Sequence, residues 1–151
     1  MSDKDEWLER TALLYGQKRL EHFRKSRVLI AGLGGVGAYA AEMLCRTGIG
    51  SLVIADADTI SPSNINRQLP ALHSTIGQQK TAVLAERFHD INPSLHLDII
   101  NTYLSDDNIL PLLQQFQPDF VVDAIDTVRC KCTLIETCLR LNIPIGSAMG
   151  A

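Results

Sequence analysis

Apolar residues fall along this chain in two alternating patterns, short unbroken runs and longer amphipathic stretches. Arg27-Val28-Leu29-Ile30-Ala31 and Ser51-Leu52-Val53-Ile54-Ala55 are of the first kind, each closed by glycine or aspartate. Five-residue runs of this type fit strands buried on both faces, because a covered parallel sheet has no solvent side. The runs at 95–100, 119–124 and 143–147 read the same way. Between them, hydrophobic residues recur at three- and four-residue spacing, the period of one helix face. That spacing predicts helices over about 35–47, 79–90, 106–116 and 129–141. Gly48 and Gly50 stop the first, and Asn92-Pro93 stops the second. Residues 6–25 predict two short helices broken near Tyr15-Gly16.

Strand and helix alternate from residue 27 onward, so the expected fold class is α/β, a Rossmann-like, mainly parallel sheet with helices on both faces. No repeat, low-complexity tract or linker divides the chain. An N-terminal helical segment at 1–26 and a Rossmann-like domain at 27–151 are expected. The strand-like run at 143–147 has no helix to cover it before Ala151, so the chain is expected to be the N-terminal part of a longer protein.

Composition removes several alternatives. Hydrophobic residues make up 46% and charged residues 21%, as in an ordinary globular domain. No apolar run approaches the ~20 residues that span a bilayer, and the charged Met1–Glu6 start lacks the apolar core of a secretory signal. No membrane association and a cytoplasmic location are expected. A formal net charge of −3 argues against non-specific coating of nucleic acid. Half of the 14 Lys and Arg lie before residue 28, a distribution that fits a solvated helix surface. Cys45, Cys130, Cys132 and Cys138 form no C-x-x-C pair. Cys45 and Cys138 fall in apolar helical patterns, where cysteine packs as a small hydrophobe; Cys130 and Cys132 receive no role.

The first strand-to-helix turn reads Gly32-Leu33-Gly34-Gly35-Val36-Gly37. Glycines there let the backbone turn tightly and approach phosphates, while the helix start offers N–H donors. Asp56, at the end of the second strand, is placed to accept ribose hydroxyls. These features alone would suit NAD. The polar cluster Ser63-Asn64-Ile65-Asn66-Arg67-Gln68 and Lys80 would not, because Arg67 and Lys80 can neutralise a triphosphate that NAD lacks. An ordinary surface pair is the plainer account of both. Asp123 and Asp126 close the 119–124 run, where a carboxylate can hold Mg²⁺. Asp126 also fits a helix N-cap. His22, His89 and His96 read as surface residues. His73, in the loop after Arg67, can at most approach a substrate.

Taken together, Gly32–Gly37, Asp56-Ala57-Asp58, Asn64-Ile65-Asn66-Arg67-Gln68, Gly77-Gln78-Gln79-Lys80 and Asp123-Ala124-Ile125-Asp126 resemble, in order, the ubiquitin-activating-like adenylating family. That family includes the molybdopterin-synthase-adenylating and thiamin-sulfur-carrier-adenylating enzymes. The resemblance covers nearly the whole chain. It implies an ATP-dependent enzyme that adenylates a carboxylate. Gly32, Gly34, Gly35 and Gly37 would border the nucleotide, Asp56 would hold the ribose, and Asp58 would be a further nucleotide-binding residue. Asn64, Asn66, Arg67, Gln68 and Lys80 would complete the nucleotide site, and Asp126 would bind Mg²⁺. Arg67, Lys80, Asp126 and Arg10 would be catalytic, Arg10 reaching the partner subunit's ATP in a homodimer. Thr127 stands where the family motif has Asn.

Three stretches are similar to the tRNA threonylcarbamoyladenosine dehydratase branch: Arg10-Thr11-Ala12-Leu13-Leu14-Tyr15-Gly16, Arg46-Thr47-Gly48-Ile49-Gly50, and Val122 to Val128. That branch implies tRNA as substrate, with a modified adenosine cyclised through its carboxylate. Other outcomes remain open. The acceptor can be the C-terminal Gly-Gly of a ubiquitin-like sulfur-carrier protein, or the chain can be a truncated module that binds nucleotide or dimerises without turnover. A nicotinamide dehydrogenase leaves the Asn64–Gln68 cluster and Lys80 unexplained.

Overall fold

Alternate residues of the apolar runs point to opposite faces of one sheet, and helices cover both. The computed structural model describes residues 3–149; Met1, Ser2, Gly150 and Ala151, at the ends of the two expected segments, lie outside the described residues. Five strands, β1 (Arg27–Ala31), β2 (Ser51–Ala55), β3 (His96–Ile100), β4 (Phe120–Asp123) and β5 (Ile145–Ser147), form a parallel sheet in the order β3-β2-β1-β4-β5. Six α-helices accompany them: α1 (Glu9–Tyr15), α2 (Gln17–Lys25), α3 (Gly37–Arg46), α4 (Lys80–Ile91), α5 (Ile109–Phe116) and α6 (Val128–Arg140). This is the expected α/β architecture. Among the described residues, no helix is long and apolar enough to cross a membrane.

On one face of the sheet, Val28, Ile30, Leu52 and Ile54 pack with Ala38, Ala41 and Cys45 of α3 and Leu84 and Phe88 of α4. On the other, Leu29, Ala31, Val53 and Val121 pack with Ile109 and Leu113 of α5 and Leu134 and Cys138 of α6. Period-two alternation of the strand side chains produces this split. Fully burying one such Leu, Ile or Phe contributes roughly 1.5–3 kcal/mol. The two N-terminal helices break at Gly16, whose φ of 82° suits a residue without Cβ. Leu8 and Leu20 bury themselves at Gly48, where a Cβ would stand 2.9 Å from a Leu8 methyl.

Two expected boundaries shift for local reasons. The helix expected from 106 begins at Ile109, because the Asn108 side chain accepts the Ser105 N–H and donates to the Tyr103 carbonyl, closing a turn instead. The strand expected from 143 begins at Ile145. Asn142 takes a φ of 55° and the Ile143 N–H bonds back to the Cys138 carbonyl, finishing α6.

Chain order matters for the site. The chain runs outward from β1 to β3, then returns to place β4 on the other side of β1. The helices that follow β1 and β4, α3 and α6, therefore lie on opposite faces of the sheet, and a crevice opens at the carboxyl ends of the strands.

Candidate active site

The glycine loop divides into two kinds of position. At Gly32, with φ of 88°, a Cβ would lie 2.6 Å from the Ala124 carbonyl oxygen, and at Gly37 it would lie 1.8 Å from the Gly32 oxygen. Gly32 is required by the close approach of the chain leaving β4, and Gly37 by the tight turn that folds the loop back onto Gly32. Gly34 and Gly35 are not so constrained. Their nearest neighbours to a Cβ would be Gln68 Nε2 at 3.8 Å and the Arg67 side chain at 3.6 Å. The protein's own packing leaves room for a Cβ at both, and the bareness of Gly34 serves the open side of the loop.

That open side is a cavity of about 320 Å³ at the switch point, the low end of ordinary small-ligand sites. Gly32, Gly34, Asp56, Asp58, Asn64, Arg67, Gln68, Lys80 and Asp126 all line it. Gly35, Gly37 and Asn66 stand behind it. Asn66 Oδ1 accepts a hydrogen bond from the Arg67 guanidinium at 2.9 Å, so it orients Arg67. Arg10 is exposed on α1 and is not part of this wall, and exposed His73 is not either.

Asp56 accepts the Leu33 N–H on one oxygen and the Asp58 N–H on the other, both at 2.7 Å, tying the exits of β1 and β2 together. Each oxygen keeps a lone pair for a ligand hydroxyl. Lys80 is buried rather than a surface residue: it is 3% exposed and its ammonium meets Asp58 at 2.8 Å. The Tyr103 hydroxyl donates to the same carboxylate at 2.7 Å. The Lys80 hydrogen bond, more than that of Tyr103, holds the Asp58 carboxyl below its usual range. Asp58 thus spends its charge on Lys80. Arg67 is exposed and its guanidinium also bonds the Ser63 carbonyl, leaving further donors free. Gln68 is buried, and its Oε1 has no partner among the described residues. An orphaned acceptor in a cavity wall is a group that a water or a ligand can satisfy.

The two aspartates expected at the end of β4 part company. Asp123 is no candidate cation ligand, because it is wholly buried in an ion pair with Lys131 at 2.7 Å. Asp126 is exposed in the cavity wall, without a hydrogen bond or ion pair to any described residue. Its N-cap alternative is not realised, since α6 starts after Thr127 with no side-chain cap. Among the described residues, no three His, Cys, Asp or Glu gather as a metal cage. A hard cation beside Asp126 would need phosphate oxygens and water to complete its shell, which is how Mg²⁺ is usually held. Open glycines, an orphaned amide oxygen, two cations and a lone carboxylate fit a nucleoside triphosphate with its metal.

Sequence reasoning missed the far wall. Thr102, Tyr103 and Leu104, which follow β3, line the cavity, as does Cys130 in the first turn of α6. Their position just past the carboxyl end of a parallel strand was the available signal. Cys130 donates to the Leu104 carbonyl at 3.3 Å, and Arg129 and Thr133 both bond Asp106, so the start of α6 is fastened to that wall. Cys45 and Cys138 are buried as expected, and burial pushes their thiols up to about 11.

The sequence profile of the ThiF family matches residues 8–151. The tRNA threonylcarbamoyladenosine dehydratase of Escherichia coli K12 is 40% identical over 150 residues, covering 97% of this chain and 56% of that protein. The molybdopterin-synthase adenylyltransferase of the same organism is 35% identical over 127 residues, covering 84% of this chain and 50% of that one. A crystal structure of the E. coli tRNA N6-threonylcarbamoyladenosine dehydratase in complex with ATP superposes with a TM-score of 0.94 at 39% identity, covering 97% of this chain and 60% of that chain. The chain therefore spans little more than half the length of these relatives.

Proposed function

The chain belongs to the ThiF family, and we propose that it binds ATP in the cavity between the exits of β1 and β4 and activates a carboxylate by adenylation. One observation carries this most directly. Beside Gly34, whose bareness packing does not require, the fold gathers Arg67, Lys80, Gln68 Oε1 and Asp126, the last two without a partner among the described residues. In the reaction, a carboxylate oxygen attacks the α-phosphorus, the α–β bridging bond breaks, and pyrophosphate leaves. Attack by a nucleophile on the acyl carbon then releases AMP. The protein's part is alignment and charge stabilisation. Asp56 orients the ribose, while Arg67 and Lys80 meet the phosphates. Asp126 would hold Mg²⁺, which would supply further positive charge there.

The acceptor we propose is the threonylcarbamoyl carboxylate of a modified adenosine in tRNA, which an internal nitrogen closes into a ring. Identity of 40% to a dehydratase of that substrate supports it. The 35% identity to an adenylyltransferase of molybdopterin synthase favours a second reading, the Gly-Gly terminus of a sulfur-carrier protein. The active unit is a homodimer in the cytoplasm. Support for the dimer comes from α1, which carries Arg10, buries none of its residues and leaves Leu13 and Leu14 72% and 74% exposed. Free cysteines fit a reducing compartment.

Thermal melting tests the site. MgATP should raise the melting temperature and NAD should not, since a ligand stabilises only the state it binds. Protection by NAD alone would return the fold to dinucleotide redox chemistry. ATP–pyrophosphate exchange should then be stimulated by tRNA bearing threonylcarbamoyladenosine; stimulation by a sulfur-carrier protein instead would select the second acceptor.

A further inference from the structure

Lys131 and Asp123 form a buried ion pair that the proposed chemistry does not use. Asp123 ends β4 and is fully buried, and Lys131, on α6, is 6% exposed. The ammonium contacts Asp123 Oδ2 at 2.7 Å, the Ala148 carbonyl at 2.8 Å and Ser147 Oγ at 3.3 Å. Ser147 donates to the same Asp123 oxygen at 2.5 Å. The other oxygen, Oδ1, accepts the Ile125 N–H at 3.1 Å. Backbone bonds lock the surroundings: the Ala124 N–H donates to the Ala31 carbonyl, and the Ala148 N–H to the Asp123 carbonyl.

Taking an ionised pair out of water is costly, and apolar residues of similar size often serve stability as well or better. Its position says what else it does. The Asp123 carboxylate closes the turn through Ala124 and Ile125, whose next residue is Asp126 in the cavity wall. A carboxylate enclosed this fully needs a cation beside it, and Lys131 stands there at 2.7 Å.

We propose that Asp123 is a positioning residue, which through the Ile125 N–H sets in advance the turn presenting Asp126 to a metal–triphosphate, with Lys131 as its buried counter-ion. This rests on the reading of the cavity as an ATP site. It predicts that Asp123 matters for the metal-bound triphosphate and not for AMP, which lacks the phosphates a cation at Asp126 would bridge.

Removing Lys131 alone would strand a buried carboxylate and unfold the chain for unrelated reasons, so the test uses two charge-free double variants. Asp123→Asn/Lys131→Met keeps an acceptor for the Ile125 N–H, whereas Asp123→Leu/Lys131→Met removes it. By calorimetry, the Asn double should bind MgATP like the unaltered chain, and the Leu double on the order of ten-fold more weakly. All three should bind AMP within about two-fold of one another. Equal MgATP affinity in the two doubles would overturn the proposal, and so would an equal loss of AMP and MgATP in the Leu double, which marks a merely structural role. Hydrogen exchange on the unaltered chain gives a check that needs no variant. The Ile125 amide should be protected before nucleotide is added, and fast exchange there would refute a turn set in advance. If the unaltered chain bound neither nucleotide, the reading of the cavity itself would fall, a result distinct from any difference between the doubles.

Discussion

At the residue scale, the glycine loop shows how one motif mixes two requirements. Gly37 is held bare by the fold, since a Cβ would sit 1.8 Å from a backbone oxygen that no rotamer change can move. Gly37→Ala should therefore destabilise the chain by on the order of 3 kcal/mol or more in chemical denaturation. Gly34 is bare for another reason. With nothing nearer than 3.8 Å, Gly34→Ala should cost under about 1 kcal/mol of stability while sharply reducing protection by MgATP. If Gly34→Ala bound MgATP normally, the open side of the loop would not be the phosphate wall. The sequence spacing flagged Gly32, Gly34 and Gly37 alike, because a G-x-G-x-x-G pattern records that side chains are absent and not what excludes them. Asp123 was misassigned for a related reason. Its partners Lys131, Ser147 and Ala148 are brought to it by the fold from as far as 25 residues along the chain.

Elements are joined by a second buried acid whose effect depends on pH. Glu42 of α3 is 7% exposed and receives Arg87 of α4 at 2.5 and 3.0 Å, with Arg46 one turn on at 2.8 Å. The Arg87 hydrogen bond is the largest cause holding its carboxyl below the ordinary value, and burial opposes it. A carboxyl depressed in the folded state stabilises fully above its unfolded pKa, about 4.3, and loses that contribution as pH falls through the folded value. Glu42→Gln should thus lower the melting temperature at pH 7, and the gap from the unaltered chain should narrow steadily below about pH 4. A gap independent of pH would mean that Glu42 contributes packing and not charge. Helix period made α3 and α4 readable from sequence; that Glu42 faces inward between them was not, because apolar periodicity scores a glutamate as solvent-facing.

For the whole molecule, the proposed dimer makes the sharpest prediction. Arg10 sits on α1 outside its own cavity wall, so a role at ATP requires a partner subunit. Arg10→Ala and Lys80→Ala should each abolish adenylation. Mixed under conditions of subunit exchange, they should recover roughly a quarter of the unaltered activity, since half the dimers are mixed and each mixed dimer keeps one intact site. A dead mixture with proven exchange, or a fully active Arg10→Ala, would leave Arg10 as a surface residue. By itself, the sequence determined the α/β class, the strands β1 and β2 to the residue, the break at Gly16, and a glycine loop with Asp56, Arg67 and Lys80 near it. These follow from local physics: the period of apolar residues, the backbone freedom of glycine, and the end of each strand. Only the tertiary structure decided that β4 lies beside β1, that Tyr103 and Cys130 close the far wall, and that Asp123 belongs to Lys131 while Asp126 has no partner among the described residues. Those are outcomes of strand order and of which charges the core encloses, and both are set by contacts between segments far apart in the chain.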